Sequence, residues 1–215
     1  MILGIDTSGK NLGLAVCSQG KLTASSLSKP GLRHGEIVQK MIDGFLKEHD
    51  LCFDDLTGIS VTLGPGSFTG LRIGLAAAKG YSYALHLPLT GVSTLLAESA
   101  AFSQFSQKVV VVVDARRNEY YSAAFDCSDD LSLRLTPDRV GPLSSLKELA
   151  DDNVVVFGPS YLKELFDSEI GPGEYYNNDD FNLAIPASLY GERDIKNGRN
   201  TDIDPLVPIY LRSDF

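Results

Sequence analysis

The sequence predicts an α/β protein of two lobes, each a mixed β-sheet flanked by helices, with the second lobe reduced. Three observations predict it. Three short apolar strands joined by tight turns open the chain and two strand–helix units follow, a pattern that makes a sheet antiparallel on one side and parallel on the other. A second strand–Asp–turn–strand starts at an offset of 108: Asp6 matches Asp114, Leu12 matches Tyr120 and Cys17 matches Phe125. Composition also splits in two. Residues 1–107 hold 8 Lys+Arg and 8 Asp+Glu, residues 108–215 hold 11 and 20, so the whole net charge of −9 lies in the second half, whereas 14 of the 20 glycines lie in the first. The expected lobes are 1–106 and 107–215.

The opening strands are Ile2–Asp6, Leu12–Cys17 and Lys21–Leu27, with Gly9-Lys10-Asn11 and Gln19-Gly20 as turn material. A helix over His34–His49 follows from the stripe Ile37, Val38, Met41, Ile42, Phe45 and Leu46. Strand Gly58–Leu63, helix Gly70–Leu85, strand Leu87–Gly91 and helix Ser93–Phe105 complete the first half, Ser93 being a good N-cap residue. The second half opens with Val109–Asp114 and has one clear buried strand, Asn153–Phe157, a helix near Tyr161–Asp167 and another after Pro186. Asn177–Asp180 and Lys196–Thr201 read as polar loops, and the tail Pro205–Phe215 as docked through Ile209-Tyr210-Leu211.

An apolar content of 43% with 22% charged residues is that of a soluble globular protein. No apolar run reaches the roughly 20 residues of a membrane helix, and no basic stretch precedes a longer apolar core, so neither a membrane span nor a signal peptide is expected. The three scattered cysteines, Cys17, Cys52 and Cys127, form no CxxC pair and suit a reducing cytoplasm. The acidic half repels phosphate backbones, which argues against autonomous nucleic-acid binding; the neutral, glycine-rich half is the better protein-contact candidate.

The richest segment is Gly64-Pro65-Gly66-Ser67-Phe68-Thr69-Gly70-Leu71-Arg72-Ile73-Gly74, where a strand turns into a helix. Glycines there serve a phosphate-binding turn, a tight backbone approach or a close helix contact. The segment is not a Walker A loop, not GxGxxG and not a nucleophile elbow, because the spacings fail and position 65 is Pro. His34, His49 and His86 form no HxxxH pair, so no metal site is expected.

Asp6-Thr7-Ser8 ends a strand on a hairpin, where an Asp can hold Mg²⁺ through water and turn amides can meet phosphate; an Asx-turn is the plainer reading. The matching turn, Asp114-Ala115-Arg116-Arg117-Asn118-Glu119, has no glycine and two bulky cations, so a backbone cradle cannot form there; Arg116 and Arg117 suit an anion or a salt bridge to Asp6 or Glu119. These six residues, Asp6, Thr7, Ser8, Asp114, Arg116 and Arg117, make at most a vestigial phosphate site. On the helix Gly70–Leu85, the positions Gly70, Gly74, Ala77, Ala78 and Tyr81 share a nearly smooth face, suited either to internal packing or to a partner helix. With Ile73, and with Ile37, Met41 and Phe45 of the preceding helix, they form the expected partner interface.

Carried by Ile2-Leu3-Gly4-Ile5-Asp6-Thr7-Ser8, His34-Gly35-Glu36, the segment Gly64–Gly74, Asp114–Glu119 and Tyr210-Leu211-Arg212, the chain resembles the TsaB (YeaZ) family over nearly its whole length. Gly35 departs from the family's usual His-Ser-Glu. The resemblance implies an actin-like ATPase (ASKHA, ribonuclease H-like) fold with a degenerate nucleotide site. It implies a non-catalytic partner of TsaD and TsaE in threonylcarbamoylation (t6A) of adenosine 37 in tRNAs reading codons that start with A. The same helices would pair with TsaD or with a second copy. The protein would act in the cytoplasm, have no intrinsic cofactor, meet ATP or ADP only at the complex interface and meet tRNA only through the complex. The alternatives are a small actin-like Mg-ATP phosphotransferase using Asp6 and Asp114 and, third, a glycoprotease-like metallopeptidase homologue, against which the missing HxxxH pair argues.

Overall fold

The computed structural model describes residues 1–29, 34–103, 108–129, 131–149, 155–171, 173–199 and 202–211. Of the expected elements, Gln104 and Phe105 of the third helix, Asn153 and Val154 of the buried strand, Asn200, Thr201 and Arg212–Phe215 lie outside them.

One compact unit comprises Met1–Thr94 and Asn182–Ile209. Its sheet has the order β3-β2-β1-β4-β5. Strands β1 (Ile2–Asp6), β2 (Leu12–Ser18) and β3 (Lys21–Ser28) form the expected antiparallel meander, and β4 (Gly58–Gly64) and β5 (Leu89–Ser93) add in parallel. Strands β1 and β4 are buried at every position, so both faces of the sheet need a cover. Leu3, Ile5, Ile59 and Val61 pack in one cluster with residues of α1 (His34–Glu48) and α2 (Phe68–Leu85). The other face takes α5 (Ala184–Lys196), which packs on β1, β2 and β4. Its small residues Ala184, Ser188 and Gly191 let it lie close: a Cβ on Gly4 would come 2.9 Å from Ser188 Cβ, and one on Gly191 would come 2.5 Å from Ser60 Cβ.

This packing corrects the expected boundary. Helix α5 and residues 202–209 belong to the first unit, and the second comprises Leu95–Phe181 with Tyr210–Phe215. The reason is burial: the two-sided apolar strands of the first sheet recruit a late helix that sequence order places in the second lobe.

The second unit has the sheet order β11-β10-β6-β7-β8, with β9 also on β7. Strands β6 (Lys108–Asp114), β7 (Tyr120–Asp126), β8 (Leu133–Arg134) and β9 (Arg139–Gly141) pair antiparallel, while β10 (Val155–Gly158) and β11 (Glu174–Asn177) add in parallel to β6. Apolar clusters lie on both faces, one including α3 (Thr94–Ser99) through Leu95 and the other α4 (Lys163–Glu169) through Phe166. Both units thus share one strand order, the duplicated arrangement of actin-like ATPases.

The repeat is real but out of register with the offset expected. Asp6 faces Gly13, whereas Asp114 faces Tyr120. The second turn is one residue shorter, so Tyr120 corresponds to Gly13 and Ala124 to Cys17. Other boundaries also move. Helix α2 starts at Phe68 because Ser67 caps it, its hydroxyl accepting the Gly70 N–H at 3.2 Å. Ser93 ends β5 rather than starting a helix, and α3 gives way to a 3-10 turn at Ala100–Phe102. Asn177 ends a strand that, like β8 and β9, is too short and too exposed to show alternation.

Candidate functional site

The first aspartate turn is sealed. Asp6 Oδ1 accepts from the Ser8 N–H at 3.1 Å, the Ser8 hydroxyl at 2.7 Å and the Thr62 hydroxyl at 2.6 Å. The Thr7 hydroxyl donates to the Gly70 carbonyl at 2.8 Å, and the Ser67 N–H to the Ser8 carbonyl at 2.7 Å. Asp6, Thr7 and Ser8 are all buried. A Cβ on Gly66 would come within 2.5 Å of the Ser8 carbonyl oxygen, one on Gly70 would collide with the Thr7 carbonyl oxygen, and one on Gly74 with the Thr7 hydroxyl. Of the three uses the glycine segment allowed, tight backbone approach is the one built here.

The residues of the expected partner face divide between the interior and an outward groove. Gly70, Gly74 and Ala78 pack inside their own unit and Phe45 is also buried, and none of these four lines an open surface. Ile37 and Met41 are half-buried against the core. The outward side of the same helix pair is a groove of about 530 Å³ between α1 and α2, lined by Gly35, Val38, Gln39, Ile73, Ala76, Ala77, Gly80, Tyr81 and Ala84. Ile73, Ala77 and Tyr81 therefore keep a place in the site. Tyr81 stacks on Phe53 at 5.2 Å; burial, and then the Asp43 carboxylate, push its phenol above the usual range. Ala76, Gly80 and Ala84 are exposed and follow one another at every fourth residue. A Cβ on Gly80 would meet nothing within 4 Å. The spacing of these three was legible in the sequence; that they face outward was not.

The second aspartate turn is open. Asp114 Oδ1 accepts from the Arg116 N–H at 2.6 Å, the same two-residue reach that Asp6 makes to Ser8. Its other oxygen faces Arg116 Nη1 at 3.6 Å, a pairing with Asp114 that the sequence did not suggest. The Tyr161 hydroxyl also bonds to Asp114, and desolvation together with that carboxylate holds its phenol well above the usual range. Arg116, Arg117 and Asn118 are exposed. Among the described residues no three His, Cys, Asp or Glu side chains gather as a metal set, and no helix is long and apolar enough to cross a membrane.

The sequence profile of the TsaD family, tRNA N6-adenosine threonylcarbamoyltransferase, matches residues 30–138, half of the chain. The chain belongs to the TsaD family. Its similarity within that family runs to the TsaB (YeaZ) proteins. The tRNA threonylcarbamoyladenosine biosynthesis protein TsaB of Bacillus subtilis is 28% identical over 98% of this chain and 93% of its own. TsaB of Escherichia coli is 32% identical over 58% of this chain and 54% of its own. The crystal structure of YeaZ from Pseudomonas aeruginosa superposes with a TM-score of 0.81 at 21% identity, covering 98% of this chain and 99% of that one, and shares the fold.

Proposed function

We propose that this chain is a non-catalytic scaffold subunit for t6A modification of adenosine 37 in tRNAs reading codons that start with A. It docks on TsaD, and alone on a second copy, through the α1–α2 groove, and works with TsaE. The carrying observation is Gly80. A mid-helix glycine costs about 1 kcal/mol relative to alanine, and no contact in this fold offsets that cost. With Ala76 and Ala84 it forms a track on which a partner helix can approach at the short end of the usual ~8–10 Å separation. The family and the named relatives supply the pathway. The non-catalytic role is supported by the Asp6 carboxylate, which accepts from the Ser8 and Thr62 hydroxyls, and by the glycine-free second turn. In this reading the protein is cytoplasmic, ATP or ADP is met at the complex interface and tRNA through the complex.

Gly80→Arg and Ala84→Arg test it. Both positions are exposed, so the fold should survive by circular dichroism while co-purification with TsaD is lost. Retained binding by both variants overturns the assignment of the groove. Mg²⁺-dependent ATP turnover by the isolated chain, abolished in Asp6→Asn, would replace the scaffold with the phosphotransferase.

A further inference from the structure

The α1–α2 groove has unlike ends. A Cβ on Gly35 would lie 3.5 Å from Ile73 Cδ1. Eight residues further along each helix, the Asp43 carboxylate is close enough to help raise the Tyr81 phenol. The two helices therefore run side by side in the same direction, and these two pairs mark the ends of a channel about 12 Å long. Gly35 and Gln39 line it on the α1 side; Asp43 is the next residue of that row, four further on, and is exposed. Beside the Ile73 end stands Arg72, exposed and stacked over the Phe68 ring at 4.0 Å. The Tyr81 end lies near the C-termini of both helices, at Glu48 and Leu85, where the last backbone carbonyls add negative potential.

Three observations fit a cation at that second end. Asp43 enters no ion pair among the described residues, although Lys40 and Lys47 stand one turn to either side of it in α1. The Tyr81 ring is fixed, stacked on Phe53 with centroids 5.2 Å apart and planes at 21°, and Tyr81 lines the groove. The short turn that supplies Phe53 continues into Asp54 and Asp55, both exposed. An aromatic ring beside a carboxylate attracts a cation twice, through its π-system and through charge-assisted hydrogen bonds. A guanidinium does both best, because it is planar, stacks on rings and meets a carboxylate with two donors. We infer that the Asp43–Tyr81 end of the groove is a receptor for one basic side chain, an arginine by preference, carried by the partner helix that docks there. The inference rests on the docking reading above and adds what the partner must bring. Its helix packs closely along Ala76, Gly80 and Ala84 and sets one cation level with Tyr81.

The test measures binding of the full-length chain to TsaD of the same organism by calorimetry, at about 50 and about 500 mM NaCl. At the lower salt Asp43→Asn should weaken binding about five- to tenfold, and the difference should shrink at the higher salt. Asp43→Glu should keep most of the affinity. Tyr81→Leu should weaken binding by a similar factor, whereas Tyr81→Phe, which keeps the ring, should not. Asp43 is exposed, so its variants should melt with the parent. Parent-like binding by Asp43→Asn, with binding abolished in Gly80→Arg, overturns the receptor and leaves the groove standing. Retained binding by Gly80→Arg and Ala84→Arg overturns the groove, and the receptor with it. A loss in Asp43→Asn that salt does not change overturns the receptor too, since charge would not be what binds. A loss in Tyr81→Phe as large as in Tyr81→Leu overturns the part given to the ring.

Discussion

Replacing Gly70 and Gly80 by alanine, one at a time, should move stability in opposite directions although both lie in one helix. Intrinsic propensity favours alanine at each by about 1 kcal/mol. At Gly80 nothing opposes it, since a Cβ there meets no atom within 4 Å; the variant should be more stable by about 1 kcal/mol. At Gly70 the Cβ lands on the Thr7 carbonyl oxygen, with Ser67 Cβ and Oγ at 3.2 Å. That oxygen belongs to backbone, so the turn or the helix must move. Overpacking of this kind costs ~1–3 kcal/mol. The shift also loosens the Thr7–Gly70 and Ser8–Ser67 hydrogen bonds, each worth about 1 kcal/mol. After the propensity gain, the net loss is about 2–4 kcal/mol. For a chain of this length that is a fall in Tm of roughly 4–16 °C, against a rise of about 2–4 °C for Gly80→Ala. Calorimetry, with urea unfolding followed by circular dichroism, reads both. A Gly70→Ala protein as stable as the parent would refute the close-approach argument. A Gly80→Ala protein that loses stability would refute the claim that the groove glycine has no internal role, and with it the reason to seek an external one.

Two further outcomes are expected. Glu192, buried under the β2–β3 turn, accepts the Gln19 N–H at 2.7 Å and the Gly20 N–H at 2.6 Å and pairs with Lys196 at 2.9 Å. Desolvation raises its pKa, but these donors outweigh it and leave the carboxyl below its ordinary 4.5. A depressed acid stabilises above the unfolded-state value and loses that contribution as pH falls through the folded one. The stability gap between the parent and Glu192→Gln, about 1 kcal/mol at neutral pH, should therefore close as pH falls below about 4.5; a gap constant from pH 7 to 3 would contradict this. Of the three thiols, only Cys52 is exposed, and burial pushes the Cys17 and Cys127 thiols up. Native protein should react rapidly with a disulfide reagent at one equivalent and with three after denaturation; rapid native labelling at Cys17 or Cys127 would contradict the packing.

Local pattern determined much of this protein. Alternating apolar runs and turn residues marked the meander Ile2–Ser28, the stripe Ile37–Leu46 marked α1, and the strand–Asp–turn–strand motif marked the duplication, all of which depend on neighbours within one or two turns of chain. The exposed strands Leu133–Arg134 and Arg139–Gly141 were invisible because no periodicity survives in two or three residues. Tertiary structure decided the rest. That α5 closes the first sheet follows from apolar strands needing cover on both faces, a demand met by whichever helix reaches it. The direction of α2 was equally hidden. Its glycines at 70 and 74 and its glycine at 80 look alike in sequence, yet the first two hold Thr7 and the last faces open space. A helix's period shows which residues share a face; only the packed neighbours show whether that face looks inward or out.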